Sequence, residues 1–534
     1  MSSASTHATS AGFVQFADRL KNVETSAIRE LFKLLGKPGI ISFAGGFPDS
    51  ALFDVEGIRE ASQQALSEQP GAALQYGATE GFNPLREELA AFMQSKGVHS
   101  LQPQDLIVTT GSQQALDLLG KTLISPGDKV IVEGPTFLAT IQCFRLYGAE
   151  LISAPIDADG VQTDRLEALI AQHQPKFVYL IPTFGNPSGG LLSLERRRQV
   201  LELALRYNTL IVEDDPYGDL YFGEAPPPSL LALSEQVPGS REALVHCGSL
   251  SKVLSPGLRV GWMVAPPALL AAATMCKQFS DAHTSTFAQA TAAAYLKSGR
   301  MPATLARVRS VYAERAQAMG QALKQRLGGA LAFVAPQGGL FVWARLTGQD
   351  GALTDGATFA KQAIEQGVAF VPGAPFYCAE PDLSTLRLSF ATADIGQIEE
   401  GVARLSRALG HHGGGAGQAL KSQRPHQEQN RNGQVDRPVD RPALALSPRR
   451  DRAGDALHEG DAQKHGHREQ GHGPAYLLGG VGRPHIGVLQ HHVATTQGNQ
   501  KAGDDADPSR RRHGQYQIAH RRADRGLHLS LIHI

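Results

Sequence analysis

The chain has 534 residues, and 51 Lys and Arg balance 51 Asp and Glu, so its formal net charge at pH 7 is zero. With 42% hydrophobic residues it can build a large core, while its neutrality gives no support for a nucleic-acid or membrane-surface partner. No apolar run approaches the ~20 residues of a membrane span, and the first residues lack the pattern of a signal peptide. Four scattered cysteines without metal-type spacing indicate a reduced, cytoplasmic protein, and we expect no metal site.

Three regions differ in their pattern of apolar residues. Residues 1–45 form an arm with a short amphipathic segment and an extended stretch. Residues 46–290 alternate helical periodicity with short β-branched runs, which are typical of strands buried on both faces of a mostly parallel sheet. Residues 291–410 combine a long charged helix with further strands, which predicts a smaller α+β domain. The chain is therefore expected to be an α/β protein, whose large region has predicted strands at 129–132, 177–181, 209–212, 243–246 and 259–264.

Residues 411–534 change character. They contain 14 of the 19 histidines and no Phe, Trp, Met or Cys. Hydrophobic periodicity fades, and such a composition cannot easily bury a core. We predict a tail that is disordered or the non-native product of an out-of-frame stretch. A His-rich tract can bind metal, but regular ligand spacing is missing here.

A lysine that follows two serines marks the most informative motif. Lys252 follows Ser249 and Ser251, and Arg259 lies seven positions further on. A lysine amine can form a Schiff base with an aldehyde, while hydroxyls and a guanidinium can hold a phosphate beside it. Pyridoxal phosphate carries both groups on one ring, so this motif indicates a site for that cofactor.

A second motif opens a helix directly after an apolar strand. Gly111 permits close backbone approach, and the helix that begins near Ser112 and Gln113 offers free N–H groups to an anion. Most Gly-Ser turns between a strand and a helix are ordinary turns. Together with the serines and the arginine around Lys252, however, this turn predicts a phosphate cup.

Polar residues end two further apolar segments and interrupt a third. Asp214 and Asp215 follow a buried-type strand, where α/β folds place their ligands, although an acid there can also be a helix N-cap. Asn186 follows the strand before, in an Asn-Pro turn. Arg387 lies among apolar neighbours in a strand-like segment, and a buried arginine needs an anionic partner, either a ligand carboxylate or a structural acid.

The order of these residues resembles that of the class I/II aminotransferases, the fold-type-I pyridoxal-phosphate enzymes. The resemblance covers about residues 15–410 and is carried by six residues in series: Asn186, Asp214, Tyr217, Lys252, Arg259 and Arg387. It implies pyridoxal 5'-phosphate as cofactor, a large domain with a mostly parallel seven-stranded sheet, and a small C-terminal α+β domain. It also implies a homodimer with shared active sites.

The resemblance assigns a role to each residue. Lys252 would bind the cofactor covalently and then act as base and acid, and Asp214, rather than its neighbour Asp215, would hold the pyridine nitrogen. Tyr217 and Asn186 would contact the phenolic oxygen of the ring. Phe137 would stack on the pyridine ring, although it could also be a plain core residue. Tyr76 would bind the phosphate in the partner's site, although it could be an ordinary turn tyrosine. Arg387, together with Asn186, would bind the α-carboxylate of the substrate.

The N-terminal arm looks like that of the 2-aminoadipate and kynurenine aminotransferase subgroup, where it forms a lid over the substrate. Arg29 matches an arginine that can meet a distal carboxylate, although it could also lie on a solvated helix face, and Gly46 would line the substrate site. These matches predict a transaminase with a ping-pong mechanism. Its amino donor would be 2-aminoadipate, an aromatic or a branched-chain L-amino acid, and its acceptor a 2-oxo acid such as 2-oxoglutarate. Alternatives are a pyridoxal-phosphate decarboxylase or lyase, and the aminotransferase-like domain of a transcription regulator, for which too few residues precede Arg29.

Overall fold

A computed structural model describes residues 15–20, 39–348 and 354–410. The predictions for Arg29, for most of the arm and lid, and for the tail 411–534 lie outside the described residues. Within the described ranges, no helix is both long and apolar enough to cross a membrane, and no cluster of three or more acidic, His or Cys side chains is arranged to hold a metal ion.

The described residues form strands and helices that alternate along most of the chain. The strands are β1 (Ile41–Ser42), β2 (Leu106–Thr109), β3 (Lys129–Gly134), β4 (Glu150–Asp157), β5 (Gly160–Val161), β6 (Phe177–Leu180), β7 (Leu210–Asp215), β8 (Leu244–Ser249), β9 (Gly261–Val264), β10 (Leu331–Phe333), β11 (Phe341–Leu346), β12 (Val368–Ala369), β13 (Val371–Pro372) and β14 (Thr385–Ser389). The helices are α1 (Val55–Glu68), α2 (Pro70–Leu74), α3 (Asn83–Gln94), α4 (Ser112–Leu123), α5 (Leu138–Leu146), α6 (Thr163–His173), α7 (Leu194–Arg206), α8 (Leu230–Leu233), α9 (Pro267–Asp281), α10 (Thr286–Lys297), α11 (Met301–Leu327), α12 (Gly356–Glu365) and α13 (Ile395–Ala408).

The large sheet has the strand order β2-β9-β8-β7-β6-β3-β4-β5. Neighbours from β8 to β4 are parallel, while β9 is antiparallel to both β2 and β8. The central strands are buried along their whole length because helices cover both faces of the sheet. The predicted mostly parallel sheet of an α/β fold is thus confirmed.

The sheet contains one strand more than the predicted seven. The extra strand, β5, is only two residues long and pairs antiparallel with the end of β4. Gly160 has a φ of 92°, which glycine adopts without strain in the tight turn between them. A two-residue strand has no hydrophobic period, so apolar patterning alone gives no sign of it.

A second, antiparallel sheet has the order β10-β11-β14-β13. Helices α11 and α13 pack against each other, and α11 also contacts β10 and β11. The predicted smaller α+β part is therefore present. The domain limits themselves remain a prediction, and the predicted division at 290/291 falls within α10.

The predicted strand at 259–264 begins two residues later, at Gly261. Arg259 lies outside the strand because it has a φ of 54° and ends the 3-10 turn Pro256–Leu258. This turn directs the chain from β8 back into β9, and it places the arginine beside the loop that precedes α4.

The carboxyl ends of four parallel strands meet at one edge of the large sheet. Phe137 follows β3, Asn186 follows β6, Asp214 and Tyr217 lie at the end of β7, and Lys252 follows β8. Ligands of open α/β sheets bind at this edge, so the topology alone brings these side chains into one region.

Candidate active site

A cavity of about 400 Å³ opens at this edge. Most of the residues predicted for the site line it: Gly46, Ser112, Gln113, Phe137, Asn186, Asp214, Tyr217, Ser249, Ser251, Lys252, Arg259 and Arg387. Residues that lie up to about 340 positions apart in sequence therefore line one cavity whose volume suits a small organic ligand.

Lys252 lines the cavity. Its Nζ donates to the carbonyl oxygen of Gly46 at 2.9 Å and lies 5.9 Å from the ring centre of Tyr217. Burial, together with the positive charges of Arg387 and Arg259, lowers the pKa of Lys252 to about 8. A fraction of this amine is therefore neutral near pH 7, as a nucleophile or base requires.

Asp214 and Asp215 face opposite sides of β7. Asp214 is buried, lines the cavity and accepts a hydrogen bond from the Tyr179 hydroxyl through Oδ2 at 2.7 Å. Its other oxygen, Oδ1, is buried and has no hydrogen-bond partner among the described residues. Asp215 instead accepts from the backbone N–H of Gly218 and lines a different cavity. Asp214 is therefore the acid that the cavity can use.

Arg387 reaches the cavity from β14. Its Nη1 donates to Asn186 Oδ1 at 2.8 Å and its Nη2 to the carbonyl oxygen of Ala44 at 2.7 Å, while Nε finds no partner in the part of the chain that the structure describes. The guanidinium lies 4.4 Å from the ring centre of Phe341. Burial lowers the pKa of Arg387 to about 10, which still leaves it cationic at neutral pH. A buried cation without a carboxylate partner is suited to an anionic ligand.

Hydroxyl, guanidinium and backbone N–H groups gather at the other end of the cavity. Gly111 has a φ of 77° and precedes α4, whose first turn has no side-chain cap. The Gln114 N–H donates to the Gly111 carbonyl at 3.1 Å, whereas the N–H groups of Ser112 and Gln113 are suited to bind an anion. Ser249, Ser251 and Arg259 line the same cavity, and Arg259 Nη2 donates to the Thr110 carbonyl at 3.3 Å.

Two described residues of the predicted site do not line the cavity. Gly111 lies directly behind it, because a Cβ on this residue would come within 2.5 Å of Arg259 Nη2. Tyr76 is 82% exposed and contacts His283 edge to face, with ring centres 5.7 Å apart. The position of Tyr76 leaves its predicted role in a neighbouring subunit open.

Sequence reasoning missed several residues that shape the site. Tyr179 lies within a predicted strand, where an aromatic residue is ordinary, so nothing marked its hydroxyl as the partner of Asp214. Phe341 and Phe376 flank the Arg387 guanidinium with their rings. Both phenylalanines lie far in sequence from the polar motifs, so no local pattern indicated that they belong to the site.

The family model "Aminotransferase class I and II" matches residues 38–405. The chain belongs to the class I and II aminotransferases. The 2-aminoadipate transaminase of Thermus thermophilus is 43% identical over 389 residues, which cover 72% of this chain and 94% of the relative. The aromatic-amino-acid aminotransferase 1 of Thermococcus litoralis is 37% identical over 74% of this chain and 94% of its own length.

A solved structure agrees with this assignment. The α-aminoadipate aminotransferase of Thermus thermophilus, complexed with N-(5'-phosphopyridoxyl)-L-leucine, is 41% identical and has a TM-score of 0.68. The match covers 74% of this chain and 97% of that structure. This aminotransferase is therefore a pyridoxal-phosphate-dependent transaminase of fold type I, as the order of its motifs predicted.

The side chains of this aminotransferase fit pyridoxal phosphate. The buried, unpartnered Oδ1 of Asp214 offers an acceptor to a protonated ring nitrogen. Lys252 offers an amine of lowered pKa to the aldehyde. The uncapped first turn of α4 offers N–H groups to the phosphate. The ring nitrogen, the aldehyde and the phosphate of the cofactor thus each have a matching group at this site.

Proposed function

We propose that this aminotransferase moves an amino group between an L-amino acid and a 2-oxo acid such as 2-oxoglutarate. The amino acid would be 2-aminoadipate, an aromatic amino acid or a branched-chain amino acid. The observation that carries the proposal is that one cavity holds both a lysine of lowered pKa and a buried arginine with an unpaired nitrogen. Because the same cavity must serve both substrates in turn, we expect ping-pong kinetics.

Lys252 acts as the proton-transfer group of the proposed reaction. Its neutral amine accepts the α-proton of the substrate and later returns a proton, so that one side chain serves as base and acid. The bound cofactor supplies an electron sink for the bond that breaks at the α-carbon. The lowered pKa of Lys252 supports this role, because an ordinary lysine would be almost fully protonated at neutral pH.

The other cavity residues bind and orient the reactants. Asp214 pairs with the ring nitrogen, Tyr217 and Asn186 contact the phenolic oxygen, and Phe137 stacks on the ring. The phosphate is held by residues of the uncapped turn and the lysine motif: Gly111, Ser112, Gln113, Ser249, Ser251 and Arg259. Arg387, with Asn186 and Gly46, binds the α-carboxylate of the substrate, and the open Nε of Arg387 supports this assignment.

The proposed substrate range rests on two kinds of support. The relatives are a 2-aminoadipate transaminase and an aromatic-amino-acid aminotransferase, and a similar structure holds a phosphopyridoxyl-leucine. The lining of the cavity also includes the apolar residues Phe47, Leu138 and Phe376. In this proposal Arg29 of the lid binds the distal carboxylate of 2-aminoadipate. The apolar walls of the cavity contact the side chains of aromatic and branched-chain substrates.

A substrate screen tests this range. We expect 2-aminoadipate, glutamate and at least one of leucine, phenylalanine or kynurenine to convert the bound cofactor to its amine form in an absorbance assay. Arg29→Ala should lower kcat/KM for 2-aminoadipate at least tenfold and leave leucine within twofold. Equal losses for both amino acids would contradict the role of Arg29, and conversion by none of them would contradict the proposed range.

We also propose a cytoplasmic homodimer in which Tyr76 completes the phosphate site of the partner. Four free cysteines support a reducing compartment. Exposed apolar side chains support an interface near Tyr76: Leu74 is 71% and Phe279 is 83% exposed. Light scattering of the enzyme should give the mass of a dimer, and a monomer at micromolar concentration would contradict the proposal.

Mixed dimers test the shared site directly. A dimer of one Lys252→Ala chain and one Tyr76→Ala chain contains one site with both residues intact and one site with neither. We expect the mixture to recover activity that neither homodimer has. Failure to recover activity in verified mixed dimers would show that Tyr76 does not act in the site of its partner.

A further inference from the structure

Tyr179 is a buried tyrosine whose hydroxyl has both of its hydrogen-bonding roles filled. Thr140 Oγ1 donates to the hydroxyl at 3.0 Å, and the hydroxyl donates to Asp214 Oδ2 at 2.7 Å. Because Thr140 occupies its acceptor position, the single phenolic proton is directed at the carboxylate. The Phe144 ring packs against that of Tyr179 edge to face at 5.8 Å, so the hydroxyl is held in place.

The two oxygens of Asp214 consequently differ. Oδ2 is bound by Tyr179, whereas Oδ1 is buried without a partner in a residue that lines the cofactor cavity. We propose that Tyr179 is a positioning residue of the transaminase: it orients Asp214 so that Oδ1 meets the ring nitrogen of the cofactor, and it keeps the carboxylate ionised. This inference rests on the proposed role of Asp214.

The surroundings of Asp214 make such a donor necessary. Burial raises the pKa of Asp214 to about 6, and the hydrogen bond from Tyr179 is the largest effect that opposes it. The other titratable or charged groups around the carboxylate come from β7, β8 and the following loop: Glu213, Asp215, His246, Cys247 and Tyr217. Asp215 and Glu213 raise the pKa of Asp214 further, and His246 Nδ1 is hydrogen-bonded to Glu213 Oε2 at 2.8 Å.

Removal of the Tyr179 hydroxyl therefore has a predictable sign. The pKa of Asp214 should rise, and the carboxyl should be protonated over a wider range on the acid side of neutrality. A neutral carboxyl cannot stabilise a protonated ring nitrogen, so cofactor binding should weaken most at low pH. The acid limb of the transamination rate should move to higher pH for the same reason.

The test compares Tyr179→Phe with the wild-type enzyme between pH 6 and pH 9. Equilibrium dialysis of the apoenzyme gives the dissociation constant of pyridoxal phosphate, and steady-state rates give the acid limb. Because a hydrogen bond to a charged group contributes on the order of 1.5 kcal/mol, we expect Tyr179→Phe to bind pyridoxal phosphate roughly tenfold more weakly near pH 6. At pH 9 its binding should change little. The acid limb of its transamination rate should move upward by about one pH unit. Thr140→Val should change the dissociation constant and the acid limb in the same directions, but by smaller amounts than Tyr179→Phe.

Tyr295→Phe is the matched control. Tyr295 is also buried and donates to an aspartate, Asp54, at 3.0 Å, but it lies outside the cavity. We expect both readouts to stay at wild-type values in this variant. Equal weakening at pH 6 and pH 9 in Tyr179→Phe, or binding within twofold of wild type at every pH, would overturn the inference.

Two further measurements separate this inference from the proposed function. Wild-type apoenzyme that fails to bind pyridoxal phosphate would contradict the cofactor site as a whole. Asp214→Asn that binds it as tightly as wild type would contradict the role of Asp214. If both behave as proposed and only Tyr179→Phe is unchanged, the positioning role of Tyr179 alone is wrong.

Discussion

At the scale of single residues, burial displaces the pKa values of Lys252, Arg387 and Asp214, which are three of the ionisable groups that line the cavity. The pKa of Lys252 falls to about 8, that of Arg387 falls to about 10 and that of Asp214 rises to about 6. Each shift disfavours the charged form, so the folded protein tolerates these groups at a cost in stability. Such costs are typical of sites that are shaped for chemistry rather than for stability.

Lys252→Met should therefore stabilise the apoenzyme. The folded pKa of Lys252 lies below its unfolded value, so the penalty is full below pH 8 and disappears as pH rises toward 10.5. A shift of this size corresponds to at most about 3 kcal/mol at pH 7. We expect a higher unfolding temperature for Lys252→Met at pH 7, with a smaller difference at pH 10. An apoenzyme that is destabilised equally at both pH values would contradict this account of burial.

Arg387→Lys tests the geometry of the carboxylate site. A lysine keeps the positive charge but loses the planar fork that can bind a carboxylate through two parallel bonds. We expect kcat/KM for the amino acid to fall about 10- to 100-fold, as for the loss of a charge-assisted hydrogen bond of roughly 1.5–3 kcal/mol, with cofactor binding unchanged. Arg309→Lys is the control, because Arg309 stacks on Tyr221 at 3.7 Å outside this cavity. Equal effects in the two variants would contradict a substrate role for Arg387.

The sequence could predict residues whose chemistry is unusual for their position. Arg387 among apolar neighbours and Lys252 after two serines are unusual, and both line the cavity. Tyr179 is typical of a strand, and its partner Asp214 lies 35 positions away, so only the fold brings the two together. The choice between Asp214 and Asp215 depends on which face of β7 each side chain occupies, and the pattern of a fully buried strand does not reveal that.

At the scale of elements, long segments were predictable and short ones were not. The strand that begins at Lys129 buries a continuous run of residues, and the helix that ends at Leu327 buries residues at helical spacing, so both match their apolar patterns. The two-residue strands β1, β5, β12 and β13 depend on pairing with distant or antiparallel neighbours. Tertiary contact rather than local pattern decides whether such segments become strands.

Gly111→Ala tests the turn that precedes α4. The new methyl group would push Arg259 away from the phosphate end of the cavity, and the φ of 77° would strain the backbone. We expect the dissociation constant of pyridoxal phosphate to rise about tenfold, which corresponds to one lost phosphate contact of about 1.4 kcal/mol. Gly127→Ala is matched in strain, with a φ of 87°, but its Cβ would meet open space. Equally weakened cofactor binding in both variants would show that strain, not displacement of Arg259, is responsible.

At the scale of the whole molecule, the family match and the described fold nearly coincide. The match covers residues 38–405, and α13 ends at Ala408. The parts needed for a cofactor site and a substrate arginine are thus contained in the chain up to residue 410. The predicted arm and lid precede this region, and the His-rich residues 411–534 follow it.

Removal of residues 411–534 should leave catalysis intact. The cavity draws its residues from positions 46 to 387, and all of them belong to the family match. We expect kcat and the cofactor dissociation constant of the shortened chain to stay within twofold of the full chain. Loss of nickel or zinc binding in the shortened chain would assign metal affinity to the tail. A large loss of activity in a folded, shortened chain would contradict its independence.

The most direct test of the account is to trap the cofactor on the enzyme. Wild-type protein is incubated with pyridoxal phosphate, reduced with borohydride, digested and analysed by mass spectrometry, in parallel with Lys252→Ala. The account predicts a cofactor adduct on Lys252 in the wild-type protein, no adduct at that position in the variant, and no measurable transamination by the variant. An adduct on another lysine, or wild-type turnover in Lys252→Ala, would contradict it.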